Sequence, residues 1–384
     1  MRNQFLGVVV ESFRDQYRRA GKPQKTRILG EIQRITDVDR KHLIKLLGGK
    51  RPLYNEVKRG RPRVYSNEIK DHISKLHKLM EQISPKRMKE AIPLWLPSYE
   101  RHYGRLSKET RAELLKVSSS TIERILRSLR GTQKGKSSTR AGQFKNKIPL
   151  KRLDEKVTFP GTVQADTVAH CGSSLAGDFA YTLTLVDIFT GWTENRASWT
   201  KQSSEIKRRL INIEKEMPIT MRYFDTDCGS EFLNYRIMRY FENRQRKVKM
   251  RRARPYKKND QCYVEQRNFT HVRNLFGYER LESPLLIEQM NRIYKVWNRL
   301  HNFFLPSFKL KEKVRVGAKI KKVFDIPRTP AQRLLESRGY SGYMKRRVRH
   351  ELSGLDPVAL KKELEEELRI FYRMVDNGRR RVAA

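Results

Sequence analysis

The stretch that decides the fold is residues 162–170, which read TVQADTVAH. Its residues alternate with the two-residue period of a β-strand, so Asp166 and His170 lie on one face. A carboxylate in the middle of a strand is costly to bury unless it is paired or bound to a cation. The stretch therefore predicts a core strand that carries a charged site at Asp166.

Further strands are predicted around this one. Short runs rich in β-branched and aromatic residues at 179–189, 197–199 and 221–224 are typical of strands, and a helix is expected at about 203–216. Three adjoining strands before an alternation of helix and strand indicate an α/β sheet of mixed strand direction. An α/β core is therefore predicted over 158–305.

Other acidic residues are expected near the same core. The strand at 221–224 leads into Asp225 and Asp227, at the carboxyl end of a strand, where α/β sheets bind ligands. Further along, Glu265 and Asn268 stand three residues apart on a predicted helix and share one face. These positions make a carboxylate site at one edge of the sheet the leading hypothesis.

The chain of 384 residues is strongly basic, with 84 Lys and Arg against 42 Asp and Glu and a formal net charge of +42. Such a charge predicts a polyanionic partner. Because the basic residues run along the whole chain, nucleic acid fits better than a membrane surface, although an RNA-binding or ribosomal protein would share the charge. No stretch approaches the roughly 20 apolar residues of a membrane span, so no membrane partner and a cytoplasmic location are expected.

A first helix-turn-helix is predicted within 1–50, because apolar residues at helical spacing flank a turn at 36–39. A basic segment at 51–65 follows and contains Arg59 and Arg61. That segment is similar to an AT-hook, whose arginines enter narrow minor grooves. A solvated linker between domains is an equally good interpretation.

A second helix-turn-helix domain is predicted over 66–130, with its two short helices at 107–130. Its second helix would direct Arg124 and Arg127 outward, toward phosphates and base edges in a major groove. A plain helical hairpin is the alternative. Residues 131–157 are predicted as a flexible basic linker.

The C-terminal region, 306–384, is predicted to contain a short β segment at 311–325, several helices and a basic tail that is disordered. The three cysteines are Cys171, Cys228 and Cys262. They have no CxxC spacing, which argues against a disulfide framework or a structural zinc site. Packing residues are favoured over thiolate ligands.

Three ordered blocks in the core resemble the integrase-core DDE transposases of bacterial insertion sequences, which are more distantly related to retroviral integrases. The blocks are 164–172 (QADTVAHCG), 227–232 (DCGSEF), and 254–260 (RPYKKND) leading into 264–268 (VEQRN). The resemblance covers 158–305 firmly and the flanking regions loosely. Cys228 and Gln261-Cys262 depart from the common family pattern, but neither departure removes a carboxylate.

The resemblance implies an RNase H-like fold in which Asp166, Asp227 and Glu265 are the catalytic residues and hold two Mg²⁺ or Mn²⁺ ions around a phosphodiester. Hard cations prefer oxygen ligands, which agrees with three carboxylates. Asp227 is preferred over Asp225 because of the Gly-Ser-Glu-Phe that follows it. Thirty-seven residues, 228–264, lie between the last two members of the set.

Two nearby residues are auxiliary candidates. Glu231 either assists the site or caps the following helix. His170 is either a substrate contact or a hydrogen-bonded histidine of the sheet. Asp187 is expected to end a strand at a turn.

The segment 244–258 holds nine basic residues and no acid, and it runs directly toward Glu265. A charge run is usually a solvated face, but one that leads into a metal site can guide a DNA backbone to it. The residues expected to contact DNA here are Arg252, Arg254, Lys257 and Lys258, together with Asn268.

The function predicted from the resemblance is a DNA transposase that nicks the ends of an insertion element and joins the 3′-hydroxyl ends to target DNA. Its expected partners are double-stranded DNA and further copies of itself, in a homodimer or larger assembly. A bacterial cytoplasmic protein, associated with the nucleoid when bound to DNA, is expected. The alternative is a catalytically silent DNA-binding regulator derived from such an enzyme, and an RNase H-type nuclease is disfavoured by the helix-turn-helix units.

Overall fold

The structure is a computed structural model, and it describes residues 2–49, 65–127, 157–227, 229–254, 258–316 and 319–383. The chain separates into two compact units, Met1–Val64 and Tyr65–Ala384. Among the described residues, no helix is both long enough and apolar enough to cross a membrane.

Within residues 2–49, the described part of the first unit, there are three helices: α1 (Arg2–Arg19), α2 (Lys22–Thr36) and α3 (Arg40–Leu47). The turn between α2 and α3 passes through Asp37, whose φ of 51° is in the left-handed region that Asp tolerates. Asp39 then caps α3 by accepting hydrogen bonds from the backbone N–H groups of Lys41 and His42. The sequence did not predict α1, and the AT-hook-like segment with Arg59 and Arg61 lies outside the described residues.

The second unit begins with four helices, which are α4 (Asn67–Leu79), α5 (Pro85–Tyr103), α6 (Lys108–Lys116) and α7 (Ser119–Arg127). Helices α6 and α7 form the predicted helix pair. Ser107 caps α6 by accepting from the Thr110 N–H, and Ile122 and Leu126 fix α7 by its apolar face. The opposite face of α7 is therefore free to carry exposed polar side chains.

A five-stranded mixed sheet forms the centre of the second unit. Its strands are β1 (Thr162–Ala169), β2 (Tyr181–Asp187), β3 (Thr193–Ser198), β4 (Tyr223–Thr226) and β5 (Lys249–Arg252), in the order β3-β2-β1-β4-β5. β2 is antiparallel to β1 and β3, whereas β4 is parallel to β1 and β5. The predicted mixed sheet is thus confirmed, and its strand order fits an RNase H-like core.

Helices accompany this sheet: α8 (Ser203–Glu216), α9 (Tyr235–Glu242), α10 (Cys262–Arg267), α11 (Asn274–Phe276) and α12 (Leu286–Phe304). A single 3₁₀ turn, Lys258–Gln261, leads into α10, and a π-helical turn, Asn268–Arg273, joins α10 to α11. The long helix α12 is buried along most of its length and packs against β3. α10 packs against β1 and β2, and Asn268, the residue that follows α10, contacts Asp166.

The C-terminal region holds a β-hairpin and three helices, which are β6 (Leu310–Val316), β7 (Lys319–Phe324), α13 (Pro330–Glu336), α14 (Gly342–Ser353) and α15 (Pro357–Ala383). The segment predicted as one short β stretch is therefore two paired strands. α15 continues as helix through the tail that was predicted to be disordered, so that prediction was wrong. Buried residues at Leu360, Leu364, Phe371 and Val375 recur at helical spacing and hold α15 against the core.

Contacts in the second unit cross large sequence separations. The Trp95 Nε1–H donates to the Phe304 carbonyl oxygen at 3.0 Å, and the Arg101 guanidinium pairs with Asp356 at 2.8 Å. One apolar core runs from Ile69 to Val375. Helices α4–α7 thus share a core with the sheet and the C-terminal helices, and the predicted division at 66–130, 158–305 and 306–384 stays a prediction.

Candidate active site

The pairing of β1 with β4 decides where the two aspartates meet. In this parallel pair Ala165 of β1 lies opposite Thr226 of β4. The residues that follow them are Asp166 and Asp227. Neighbouring strands lie about 4.8 Å apart, so the register places the two carboxylates side by side where β4 ends. Asp227 follows the last residue of β4, at the carboxyl edge that the sequence predicted.

Asp166 is held by two hydrogen bonds. Its Oδ1 accepts from the Thr167 backbone N–H at 2.8 Å, and its Oδ2 accepts from the Asn268 side-chain amide at 2.6 Å. Burial, and then the neighbouring charge of Asp227, raise the pKa of Asp166 to about 7. The carboxylate therefore sits in a place that penalises its negative charge, and a bound cation would relieve that penalty.

Asp227 has a similar environment. Its Oδ1 accepts from the Gly229 backbone N–H at 2.9 Å. Burial raises the pKa of Asp227, the Gly229 hydrogen bond opposes the rise, and the charge of Glu231 adds to it. Two adjacent carboxylates thus both have raised pKa values, which is common at functional sites.

The start of helix α10 is fastened to β1 by Gln164, a residue whose role the sequence did not predict. The buried Gln164 side chain donates to the Asp260 carbonyl oxygen at 2.7 Å and accepts from the Val264 backbone N–H at 3.3 Å. Gln164 lies two residues before Asp166 and therefore on the same face of β1. A fully buried amide in the middle of a strand was the available signal, because such a group must find hydrogen-bond partners.

Glu231 and Glu265, the two glutamates predicted near the site, have different environments in the structure. Glu231 is partly buried, accepts from the Thr167 hydroxyl at 2.8 Å and raises the pKa of both Asp166 and Asp227. Glu265 is exposed on α10, one turn before Asn268. In the part of the chain that the structure describes, no three His, Cys, Asp or Glu side chains are grouped closely enough to hold a metal ion.

The donor set nevertheless fits a hard divalent cation. Asp166 and Asp227 supply adjacent carboxylate oxygens, which Mg²⁺ and Mn²⁺ prefer over nitrogen or sulfur. The Oδ1 of Asn268 is buried and has no hydrogen-bond partner among the described atoms, so an unused oxygen acceptor lies beside the same carboxylates. A cation here would gain oxygen ligands and cancel the repulsion between the aspartates.

The acidic residues that were not predicted to be metal ligands have other partners. Asp225, nearly fully buried, forms a two-point ion pair with Arg251, with N to O distances of 2.7 and 3.0 Å. Asp187 accepts from the backbone N–H groups of Gly161 and Thr190 at the turn that ends β2. Both carboxylates therefore stabilise the fold through these contacts.

His170 does not reach the candidate site. It is fully buried, its Nε2 lies 2.9 Å from the Thr182 hydroxyl, and its ring meets Phe276 edge to face. Burial, and then the charge of Arg273, lower the pKa of His170 to about 3. The structure therefore places it as a neutral histidine of the sheet.

The expected DNA contacts are only partly described. Arg124 and Arg127 are exposed on α7, Arg252 is half-buried on β5, and Arg254 pairs with the buried Asp260 at 3.0 Å. Lys257 lies outside the described residues, as does the side chain of Lys258. Arg254 therefore has a structural partner, while the two arginines of α7 face solvent.

Two of the three cysteines are among the described residues, and neither of them is in a disulfide bond. Cys171 is half-buried and follows β1 by two residues, and Cys262 is exposed at the start of α10. Cys228 is not among the described residues. The prediction that the cysteines are packing residues stays a prediction.

Comparison with known proteins finds a relative by sequence and similar solved structures. The Sinorhizobium fredii protein described as uncharacterized protein y4rM is 36% identical over 333 residues, which is 85% of this chain and 93% of that protein. No family model matches the chain.

The structures are less similar. A chain of the simian T-cell lymphotropic virus intasome in complex with PP2A regulatory subunit B56 gamma is 14% identical, with a TM-score of 0.27 over 47% of this chain and 60% of that one. The catalytic core domain of BIV integrase is 16% identical, with a TM-score of 0.29 over 46% of this chain and 94% of that one. Likeness of this degree does not establish a shared fold, so the fold is assigned from the strand order.

Proposed function

We propose that this chain, which belongs to the same family as the Sinorhizobium fredii protein y4rM, is a DNA transposase. It cuts at the ends of a mobile element and joins the freed 3′-hydroxyl groups to target DNA. The observation that carries the proposal is the side-by-side placement of Asp166 and Asp227 by the β1–β4 register, with the pKa of Asp166 raised to about 7. Such a pair is suited to cation binding at a phosphodiester.

The reaction is a pair of displacements at phosphorus. In the first, water attacks the phosphodiester at the element's end, the bond from phosphorus to the 3′ oxygen breaks, and a 3′-hydroxyl is released. In the second, that hydroxyl attacks a target phosphodiester and displaces another 3′ oxygen. Neither step needs a nucleophilic side chain, which agrees with a site made of carboxylates and an amide.

Each residue of the site has a defined role in the proposal. Asp166 and Asp227 would hold two Mg²⁺ or Mn²⁺ ions, which when bound activate the attacking oxygen and stabilise the leaving one. Asn268 orients Asp166 through its 2.6 Å hydrogen bond. Gln164 fixes the start of α10 and with it the distance of Glu265 from the aspartates. Glu265 is proposed as the third carboxylate ligand.

The charge of the chain supports DNA as substrate. The net charge of +42 disfavours the free compact chain through self-repulsion, and binding to a polyanion compensates it. Arg124 and Arg127, exposed on α7, would contact the element's end. Both ends must be held for joining, so a homodimer or larger complex on DNA is proposed.

The test is a cleavage and strand-transfer assay on duplex DNA that spans the genomic sequence flanking the gene on each side, with Mg²⁺ added. Wild type is expected to nick and join this DNA. Asp166→Asn is expected to lose both reactions by at least about 100-fold, the scale for removal of one preorganised charged group, while it keeps DNA binding. Asp376→Asn, the same change at an exposed position of α15, is the control. Equal activity of wild type and Asp166→Asn would refute the proposal.

The same assay assigns the third carboxylate. Glu265→Gln is expected to reduce cleavage as strongly as Asp166→Asn, and Glu231→Gln to reduce it less. The reverse order would assign the third ligand to Glu231, whose charge raises the pKa of both Asp166 and Asp227.

A catalytically silent DNA-binding regulator is the second candidate. The observation that favours it is the exposed Glu265, together with the lack of a three-residue metal-binding group among the described side chains. That candidate predicts sequence-specific DNA binding by wild type with no cleavage in Mg²⁺ or Mn²⁺. Metal-dependent cleavage by wild type excludes it.

A further inference from the structure

The hairpin of β6 and β7 is unusual among the described strands, because it forms a two-stranded sheet of its own. A two-stranded ribbon is at best marginally stable alone, since it has few neighbours to pack against. Its described side chains at 310–315 and 321–322 are exposed. The ribbon therefore extends from the protein with both faces open to a partner.

The charges of the hairpin are strongly one-sided. Residues 310–324 include six Lys or Arg and one acid, Glu312. In the antiparallel register Lys313 lies directly opposite Lys322, and like charges in that position destabilise a ladder. Glu312 is adjacent to Lys313 on the strand, so it belongs to the other face and does not compensate the pair. The face with Lys313 and Lys322 thus lacks a negative partner within the hairpin.

The base of the hairpin, in contrast, is fastened firmly. The Lys309 N–H donates to Asp325 at 2.7 Å and the Asp325 N–H donates back to the Lys309 carbonyl at 3.0 Å. Asp325 also pairs with the largely buried Arg333 of α13 at 2.5 Å. The negative charge at the base is used for anchoring. The basic ribbon is thus held in one direction by a fixed base.

From this geometry we infer that the β6–β7 hairpin is a DNA-binding ribbon that contacts the backbone of double-stranded DNA through Lys313 and Lys322. A two-stranded ribbon fits the major groove of B-DNA, and lysines on its face neutralise phosphates. The phosphates remove the repulsion between the two lysines that the ladder imposes. The inference rests on the proposed function for its choice of DNA over other polyanions.

The test measures the affinity of the full-length protein for a labelled 30-base-pair DNA duplex by fluorescence anisotropy, over a series of salt concentrations in EDTA. Each phosphate contact contributes a slope of about −0.9 in log K against log salt concentration. The double variant Lys313→Gln/Lys322→Gln is expected to bind more weakly and to lose about 2 from the magnitude of that slope. Both side chains are exposed, so the fold is expected to survive, which a melting curve checks.

The control is Lys215→Gln/Lys295→Gln, which removes two exposed lysines outside the hairpin, and its slope is expected to match wild type. Equal slopes for the hairpin and control variants would overturn the inference. So would a change in oligomeric state by sedimentation with an unchanged DNA slope, since the hairpin would then contact a second copy. Tighter binding of a duplex RNA competitor than of DNA would also overturn it. EDTA separates the two proposals, because binding through the hairpin needs no cleavage.

Discussion

Among the described residues, the candidate site and the β6–β7 hairpin both hold like charges side by side, and the two differ in sign and in burial. At the carboxyl end of β4, the fold places Asp227 beside Asp166 in a partly buried site. On the β6–β7 hairpin, the register places Lys322 opposite Lys313 in solvent. Burial makes the first conflict expensive, whereas water and salt weaken the second.

Two buried carboxylates elsewhere in the core are matched by cations. Asp225 pairs with Arg251, and Asp260 pairs with Arg254. Asp225 and Asp227 are two residues apart, yet one has a cation in the protein and the other has a second carboxylate. Sequences that fold well resolve most local conflicts, so the unresolved ones indicate where a ligand is expected to bind. The comparison points to a cation at the aspartates and a polyanion at the hairpin.

The largest expected effect separates Asp227 from Asp225. Asp227→Asn is expected to lose at least about 100-fold in cleavage rate, because it removes a charge from the reaction centre, with little change in stability. Asp225→Asn is expected to lower the free energy of unfolding by about 3–5 kcal/mol, because it leaves Arg251 buried without its carboxylate. Urea denaturation and the cleavage assay measure the two effects. If Asp225→Asn were stable and inactive, Asp225 rather than Asp227 would be the aspartate of the reaction centre.

A smaller effect is expected on the stability of the Asp166→Asn variant. Most core substitutions destabilise a protein, whereas this one is expected to stabilise it. The pKa of Asp166 is raised in the folded state, so the folded state binds the proton more tightly and the protein loses stability as pH rises through the range from about 4 to 7. Asp166→Asn removes that loss. In metal-free buffer above pH 7 its melting temperature is expected to exceed that of wild type by a few degrees, and the difference is expected to disappear near pH 4.

Metal should reverse the order of these two proteins. Mg²⁺ that binds only the folded wild type raises its melting temperature, and Asp166→Asn is expected to respond less. Calorimetry with and without Mg²⁺ measures this. A wild type that melts above Asp166→Asn without metal would show that the aspartates do not repel each other.

The smallest expected effect is at the hairpin. Lys313→Glu replaces a like-charge pair with an opposite-charge pair, and is expected to stabilise the ribbon by about 0.2–1 kcal/mol while it weakens DNA binding. Hydrogen exchange of the β6 and β7 amides, together with the DNA titration, measures both changes. Weaker DNA binding without slower exchange would mean that Lys313 and Lys322 do not repel each other in the free protein.

The sequence predicted the mixed sheet because the residue patterns that identify most of its strands are local. Alternation identified β1, a run of β-branched and aromatic residues identified β2, and a helix was predicted at the position of α8. It underestimated β3, since residues 193–198 (TENRAS) are polar but fully buried in the fold. Their partners come from distant segments: Asn298 of α12 donates to Glu194, and Thr184 of β2 accepts from Asn195. No pattern within residues 193–198 indicates these partners.

The candidate site was predictable to a similar extent. A carboxylate in a strand and the three motif blocks identified Asp166, Asp227 and Glu265 as candidates. The roles of Gln164 and Glu231 depend on how α10 and the loop after β4 return to β1, 100 and 64 residues away along the chain. Strand β5 was missed because residues 249–252 (KMRR) show a charge run rather than an apolar strand pattern.

The hydrogen bonds that tie α5 to the end of α12 and to the start of α15 have a consequence for synthesis of the protein. Trp95 is paired with Phe304, 209 residues later, and Arg101 with Asp356, 255 residues later. At about 5–20 residues per second, a ribosome needs roughly 10–50 s to make the second partner after the first. During that interval α4, α6 and α7 can pack against α5, but the part of α5 that contacts α12 and α15, which includes Trp95, lacks those partners. A messenger truncated before residue 304 would therefore yield a product that exposes this side chain, and such products are expected to be degraded rather than to compete with the full-length protein for DNA.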